Sequence, residues 1–237
     1  MIFYLISFIS PFTESAKVFG IAPETGATGN YVAISWYSGK SNIEKLFLTE
    51  VLCGNDSAPL YKGLQESGLG DEVAAGNFGQ FDEEFFYLGL WGVKKGNEEK
   101  VFKLVQKLIQ QVYEEGISQK LIESAVMGLD FQLREVNRYW GPFSLTLMEN
   151  ALKGWCVGNP CSTFLSPITS FEKLKQTLKD DKAFIKKLIK KYFIDNPVTV
   201  KVIEEPSPDY LKNRQEAEKK LIQEKSLSFM QTNLSCL

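Results

Sequence analysis

The sequence predicts an α+β domain, a sheet with its helices gathered on one face. Three observations carry that reading. Two β-branched and aromatic runs, 16–21 and Tyr31-Val-Ala-Ile-Ser-Trp-Tyr37, open the chain. An alternating run, Val198-Thr-Val-Lys-Val202, returns near its end. Between Lys94 and Pro197, roughly a hundred residues carry helical periodicities and no strand pattern. The elements therefore come in blocks: strands, a helix pair, strands, several helices, a last strand. A doubly wound fold would alternate them strictly.

The elements follow in order. The first two strands are separated by a Gly/Thr/Asn turn at 25–30. From Ser41 the period changes: Ile43, Leu46, Phe47 and Val51 share a helical face that Ser41 or Asn42 can cap. Pro59 is suited to the first turn of a second helix, and Gly68 is placed to stop it. A glycine-rich stretch, 68–79, leads to Glu84-Phe-Phe-Tyr-Leu-Gly-Leu-Trp-Gly-Val93, which is apolar at consecutive positions and reads as a central strand. Three helical stripes come next: Val101, Leu104, Val105, Leu108 and Val112, stopped at Gly116; then Ile122, Val126, Leu129, Leu133 and Val136; then Leu145, Met148, Leu152 and Trp155. Two shorter helices are expected over 170–179 and 182–194, ending before Pro197. Beyond Pro206 and Pro208 the chain becomes densely charged, Lys212-Asn-Arg-Gln-Glu-Ala-Glu-Lys-Lys220, as in a solvated helix or linker.

Composition closes several classes of chemistry. The 237 residues contain no histidine, so the chain itself carries no Ser-His-Asp triad, Cys-His pair or His-liganded zinc. A formal charge of −2 gives no footprint for nucleic acid or a membrane surface. Cys53, Cys156, Cys161 and Cys236 lack the spacing of a metal tetrad and read as reduced, structural thiols. The apolar start, Met1-Ile-Phe-Tyr-Leu-Ile-Ser-Phe-Ile-Ser10, is too short to span a bilayer and lacks a basic lead. It reads as a buried strand or as a start foreign to the domain.

Four local patterns are weighed and set aside. Ser38-Gly-Lys-Ser41 lies between a strand and a helix, but Ile34 stands where a phosphate loop needs its first glycine. Lys186, Lys187, Lys190 and Lys191 oppose Phe184, Ile185, Leu188 and Ile189 on an amphipathic helix and read as its solvated face. Asp82-Glu-Glu84 reads as a polar strand entry that would need ligands from elsewhere to hold a cation. Asn55-Asp-Ser57 and Asn233-Leu-Ser235 match the glycosylation pattern without a secretory signal to give it meaning.

One long stretch is far more specific than these. The segment "SAPLYKGLQESGLGDEVAAGNFGQFDEEFFYLGLWGV" resembles the second domain of presequence proteases. These, with falcilysin, belong to the pitrilysin/insulinase superfamily of zinc metallopeptidases. The resemblance rests on Ser57 to Leu64, Glu66 to Gly70 and Gly89 to Gly92. It is extended by Tyr31-Val-Ala-Ile-Ser-Trp36 before them and by "GPFSLTLMENALKGW" (141–155) after. Asn196-Pro197 and Pro206-Ser-Pro-Asp-Tyr210 fit as well. Several motifs in order across 16–224 carry more than any one alone.

The resemblance implies a mixed, mostly antiparallel sheet with several helices packed on one face. It implies a domain over 16–205, a charged helical connector from 206 to 237 that breaks off, and an atypical segment at 1–15. The family's zinc is held in its first domain by an inverted His-x-x-Glu-His helix and a downstream Glu. None of those residues maps onto this chain, so catalytic residues: none; metal ligands: none; cofactor in this chain: none, with zinc expected in a separate catalytic domain. The implied role is a non-catalytic wall of the chamber in which a zinc metalloendopeptidase degrades unfolded peptides. Phe78 and Phe81 are its candidate peptide contacts. The implied partners are the catalytic zinc domain and the C-terminal half of the same enzyme, in cis or as a separate chain, and unfolded peptides, with no nucleic acid and no membrane. The expected compartment is the cytoplasm, with the mitochondrial matrix or a plastid as the alternative. A second class stays open: a stand-alone binding or assembly module with the same fold and no chemistry.

Overall fold

The computed structural model describes residues 15–23, 29–80, 83–136, 141–156, 158–165 and 167–234. Strands β1 (Ala16–Pro23) and β2 (Asn30–Lys40) precede helices α1 (Ile43–Cys53) and α2 (Pro59–Gln65). The hairpin strands β3 (Glu72–Gln80) and β4 (Glu83–Val93) follow. Then come α3 (Glu98–Glu115), α4 (Gln119–Arg134), α5 (Phe143–Cys156), a 3-10 turn (Cys161–Phe164), α6 (Pro167–Asp180) and α7 (Phe184–Ile189), which runs on as a π turn (Lys190–Ile194). Strand β5 (Thr199–Ser207) and the long α8 (Tyr210–Leu234) complete the order. Met1–Ser10, the 25–28 part of the first turn, Phe81, Asp82 and Cys236 lie outside the described residues.

The five strands form one mixed sheet in the order β1-β5-β2-β4-β3. Only β1 and β5 run parallel; the β5–β2, β2–β4 and β4–β3 pairs are antiparallel. This is the predicted α+β class with a mostly antiparallel sheet.

Alternation along the strands sends Val32, Ile34 and Trp36 of β2 and Phe86, Leu88 and Leu90 of β4 to one face. There they meet Phe47, Leu48, Val51 and Leu52 of α1 and Val101, Phe102, Val105, Ile109 and Val112 of α3, all buried. Phe193 closes the far end, its ring centroid 5.2 Å from Trp36 and 5.0 Å from Phe86. A smaller cluster, Tyr31, Ala33, Ala74, Val200 and Val202, belongs to the opposite face.

The caps are mostly as the sequence reads them. Asn42, not Ser41, caps α1, its side-chain oxygen accepting from the Lys45 N–H at 3.0 Å. Pro59 begins α2 and Gly116 ends α3. Asn196 clips three elements together: its amide nitrogen donates to the Tyr192 carbonyl (2.9 Å) and the Tyr37 carbonyl (2.7 Å), and its oxygen accepts from the Val198 N–H (3.0 Å).

Two expectations change. The glycine-rich 68–79 stretch is largely strand: β3 pairs along its whole length with β4, and the Tyr87 side chain lies against Gly76. The third stripe is not a core face. Leu145, Met148, Leu152 and Trp155 are 48, 53, 41 and 66% exposed. Among the described residues α5 packs chiefly on the 3-10 turn, with Gly154 pressed against the Pro160 carbonyl and the Phe164 ring.

Candidate functional site

The face of the sheet turned away from α1 and α3 carries a row of aromatic side chains. On β4, Phe86, Leu88 and Leu90 turn to the helices, so Phe85, Tyr87 and Trp91 turn the other way. Trp91 meets Tyr31 with ring centroids 4.2 Å apart, and Phe85 meets Tyr37 at 5.4 Å. Phe78 stands opposite Phe85 in the β3–β4 register and is half-buried, as are Tyr37, Phe85 and Tyr87. The row follows β4 for roughly 20 Å, six residues of strand, and ends near β3, which among the described residues pairs with β4 only.

Of the two aromatic residues expected to face peptide, the structure places Phe78 in this row; Phe81 lies outside the described residues. Tyr37, Phe85, Tyr87 and Trp91 were not singled out from the sequence. Part of their signal lies in Glu84–Val93, where three of the four aromatic positions, 85, 87 and 91, have one parity and Phe86 the other.

The Tyr37 hydroxyl donates to Glu83 Oε1 at 3.2 Å. Partial burial, then the Glu83 carboxylate beside it, raises the Tyr37 pKa, and burial raises that of Tyr87. Both phenols are therefore neutral at physiological pH and able to stack, with no activated nucleophile among them.

The set-aside patterns resolve into structure. Lys45, only 1% exposed, sends its ammonium back to the Gly39 carbonyl (2.8 Å) and the Lys40 carbonyl, and stands 3.9 Å from Glu84 Oε2. The Ser38–Ser41 turn thus presents carbonyl oxygens to a cation, the reverse polarity of a phosphate cradle. Glu84 also accepts from the Ser41 hydroxyl at 2.5 Å. The helix lysines all meet local groups: Lys187 pairs with Asp181 at 2.6 Å, Lys190 with Asp195 at 3.8 Å, and Lys186 and Lys191 lie over the rings of Tyr113 and Tyr192. Cys53 packs against the core, and burial pushes its thiol up to about 12, while Cys156 and Cys161 are exposed and unbridged.

These residues do not fit a resident zinc. The chain has no histidine. Glu83 is committed to Tyr37 and Glu84 to Ser41 and Lys45. Among the described residues no three His, Cys, Asp or Glu side chains converge.

Comparison with known proteins gives the arrangement a context. Residues 16–129 match the family model described as "Peptidase M16 inactive domain". Presequence protease 1, chloroplastic/mitochondrial, of Arabidopsis thaliana is 27% identical over 192 residues, which is 80% of this chain and 18% of that protein. Presequence protease, mitochondrial, of Schizosaccharomyces pombe is 29% identical over 231 residues, 93% of this chain and 23% of the relative. The chain therefore spans less than a quarter of the length of these relatives. Among solved structures, the inactive peptidase domain of a putative zinc protease from Bordetella parapertussis superposes with a TM-score of 0.58 at 17% identity, covering 75% of this chain and 93% of that one. The peptidase M16 inactive domain from Pseudomonas fluorescens does so at 0.54 and 15%, covering 82% and 44%. At those identities the likeness is one of fold.

Proposed function

We propose, from the premise that residues 16–129 belong to the peptidase M16 inactive-domain family, that this chain is the non-catalytic wall of a peptide-degrading chamber in a presequence-protease-like zinc metalloendopeptidase. The observation that carries the reading is the pairing of that match with a chain that has no histidine to bind the metal. The domain over 16–205 supplies a rigid sheet; the zinc, the bound water and the general base belong to a partner domain, in cis or on a separate chain.

The aromatic row supports peptide contact. An unfolded segment lying across Phe78, Phe85 and Tyr87 would stack its side chains on rings held by the sheet, and the outer edge of β3 offers backbone groups for strand addition. Rings fixed in a sheet lose little entropy on binding and read no particular sequence, which suits a peptidase that takes many peptides. The charged α8, exposed along 211–226, fits the start of a connector to the enzyme's second half. The compartments in the relatives' names, mitochondrion and chloroplast, favour an organelle matrix over the cytoplasm for this chain. The exposed stripe of α5 weighs against a stand-alone module, because such surfaces mark contacts with further protein.

The test is an immunoprecipitation from the source cells with an antibody to residues 97–155. The expected precipitate contains either a band far above 26.8 kDa or a second, zinc-bearing chain. It cleaves unfolded peptides and stops when the metal is chelated. A precipitate holding only the 26.8 kDa chain and no chelator-sensitive peptidase activity would overturn the proposal.

A further inference from the structure

On the helical side of the molecule, away from the aromatic row, α4 and α6 enclose a groove of about 1050 Å³. Its walls are two helix stripes. Positions 119, 122, 123, 126, 127 and 130 of α4 recur at helical spacing, and so do 175, 178, 179 and 182 along α6 and the turn after it. The α4 wall extends over roughly 17 Å, eleven residues of rise. The floor is apolar, made by Ile122, Val126, Leu178 and Ile185, and Met127 stands 70% exposed on its lip.

The two walls differ in charge. Lys175, Lys179 and Lys182 line the α6 side, where the one acid, Asp181, is paired with Lys187 at 2.6 Å; Glu123 and Asp130 line the α4 side. Lys175 is already paired with Glu172 (2.7 Å) and Asp130 with Arg134 (2.7 Å). Among the described residues Lys179, Lys182 and Glu123 have no ion-pair partner, and Glu123 meets only the Gln119 amide, at 3.0 Å.

We infer that this groove docks an amphipathic α-helix of a protein partner, with an apolar stripe, carboxylates along one flank and amines along the other. The backbone decides the secondary structure of the occupant. Among the described residues no strand edge lines the groove, so an extended segment would bury unpaired N–H and C=O groups on an apolar floor, whereas a helix satisfies its own. A third helix laid in the furrow between two others also matches ridge-into-groove packing. The charges decide the flanks: the occupant's acids face Lys179 and Lys182, and its amines face Glu123. A uniformly anionic surface such as a lipid headgroup layer would be repelled by the α4 wall. The inference is independent of the function proposed above, since it concerns the opposite side of the sheet.

The probes are three designed helical peptides of about 18 residues, or five turns. All share Leu at i, i+3, i+4 and i+7; one has Glu on one flank and Lys on the other, one Glu on both, one Lys on both. Fluorescence anisotropy at low salt on the full chain is expected to rank the mixed peptide tightest, by roughly fivefold over either single-sign peptide, the sum of two or three exposed ion pairs. The double substitution Lys179→Glu/Lys182→Glu makes both walls acidic. It is expected to shift the preference to the all-Lys peptide, so binding by the variant itself reports that the fold is intact. Equal affinity for the three peptides, an unchanged ranking in the charge-reversed variant, or no binding of any peptide by the wild-type chain would overturn the inference.

Discussion

Lys45 shows how little of a residue's role its type reveals. In sequence it is one charge on the first turn of a helix. Its structural neighbours are Gly39, Lys40 and Glu84, and the last lies thirty-nine positions away, beyond any local pattern. The buried pair fixes the start of α1 to the end of the β2–β4 ladder. Removing one member leaves the other charge buried with its main counter-ion gone. Lys45→Met is therefore expected to cost about 3–5 kcal/mol in urea unfolding. The double replacement Lys45→Met/Glu84→Leu should recover most of that loss, because neither charge then needs solvation. A double variant as unstable as the single one would refute the account. Glu204 is the opposite case. Burial raises its carboxyl pKa, so the folded state bears a cost for ionising it. That cost is full above the raised value, falls as the pH drops through it, and is gone below the unfolded value of about 4.3. Glu204→Gln should then stabilise the protein at neutral pH by up to about 1 kcal/mol. The gain should vanish in unfolding curves at pH near 4; a gain that persists there would rule out ionisation as its source.

At the scale of elements, Ser57–Gly70 explains why a stretch without chemistry looks like a motif. Pro59 fixes the first turn of α2. Gly68 adopts φ +65 with open space around it, and Gly70 lies where an added Cβ would come 2.5 Å from the Trp91 carbonyl oxygen. The two glycines serve different ends, and substitution separates them. Gly68→Ala is expected to cost about 1 kcal/mol, the left-handed backbone alone. Gly70→Ala should cost more, about 2–3 kcal/mol, since the obstacle is backbone of a central strand that has no room to move. Equal thermal shifts for the two would contradict this division. The sequence made most elements legible because their periods are long and their caps local, as with Asn42, Pro59 and Gly116. It hid β3, whose glycines and alanines carry no strand signal of their own and pair only because the aromatic β4 lies alongside. The aromatic row was half legible: the parity of positions 85, 87 and 91 is in the sequence, but nothing there says which parity the helices cover.

At the scale of the whole molecule, a periodic stripe tells that a helix has an apolar side, never what covers it. Leu145, Met148, Leu152 and Trp155 recur at the 3-4-3 spacing that predicted a core face, and the fold leaves them 41–66% exposed. The chain spans 18–23% of the length of the matched relatives. The consequence is measurable on the chain alone. Because the stripe contributes almost nothing to this domain's own core, Met148→Lys with Trp155→Glu is expected to leave the thermal midpoint within about 2 °C, as surface changes do. The same pair should markedly reduce binding of a hydrophobic dye and the tendency to associate at high concentration, because it breaks the patch. A cooperative loss of stability instead would mean that α5 buries its stripe within the domain. The apolar surface awaiting a partner would then have to be sought elsewhere, first at Phe19 and Ile21 on the edge strand β1, which are 61 and 51% exposed.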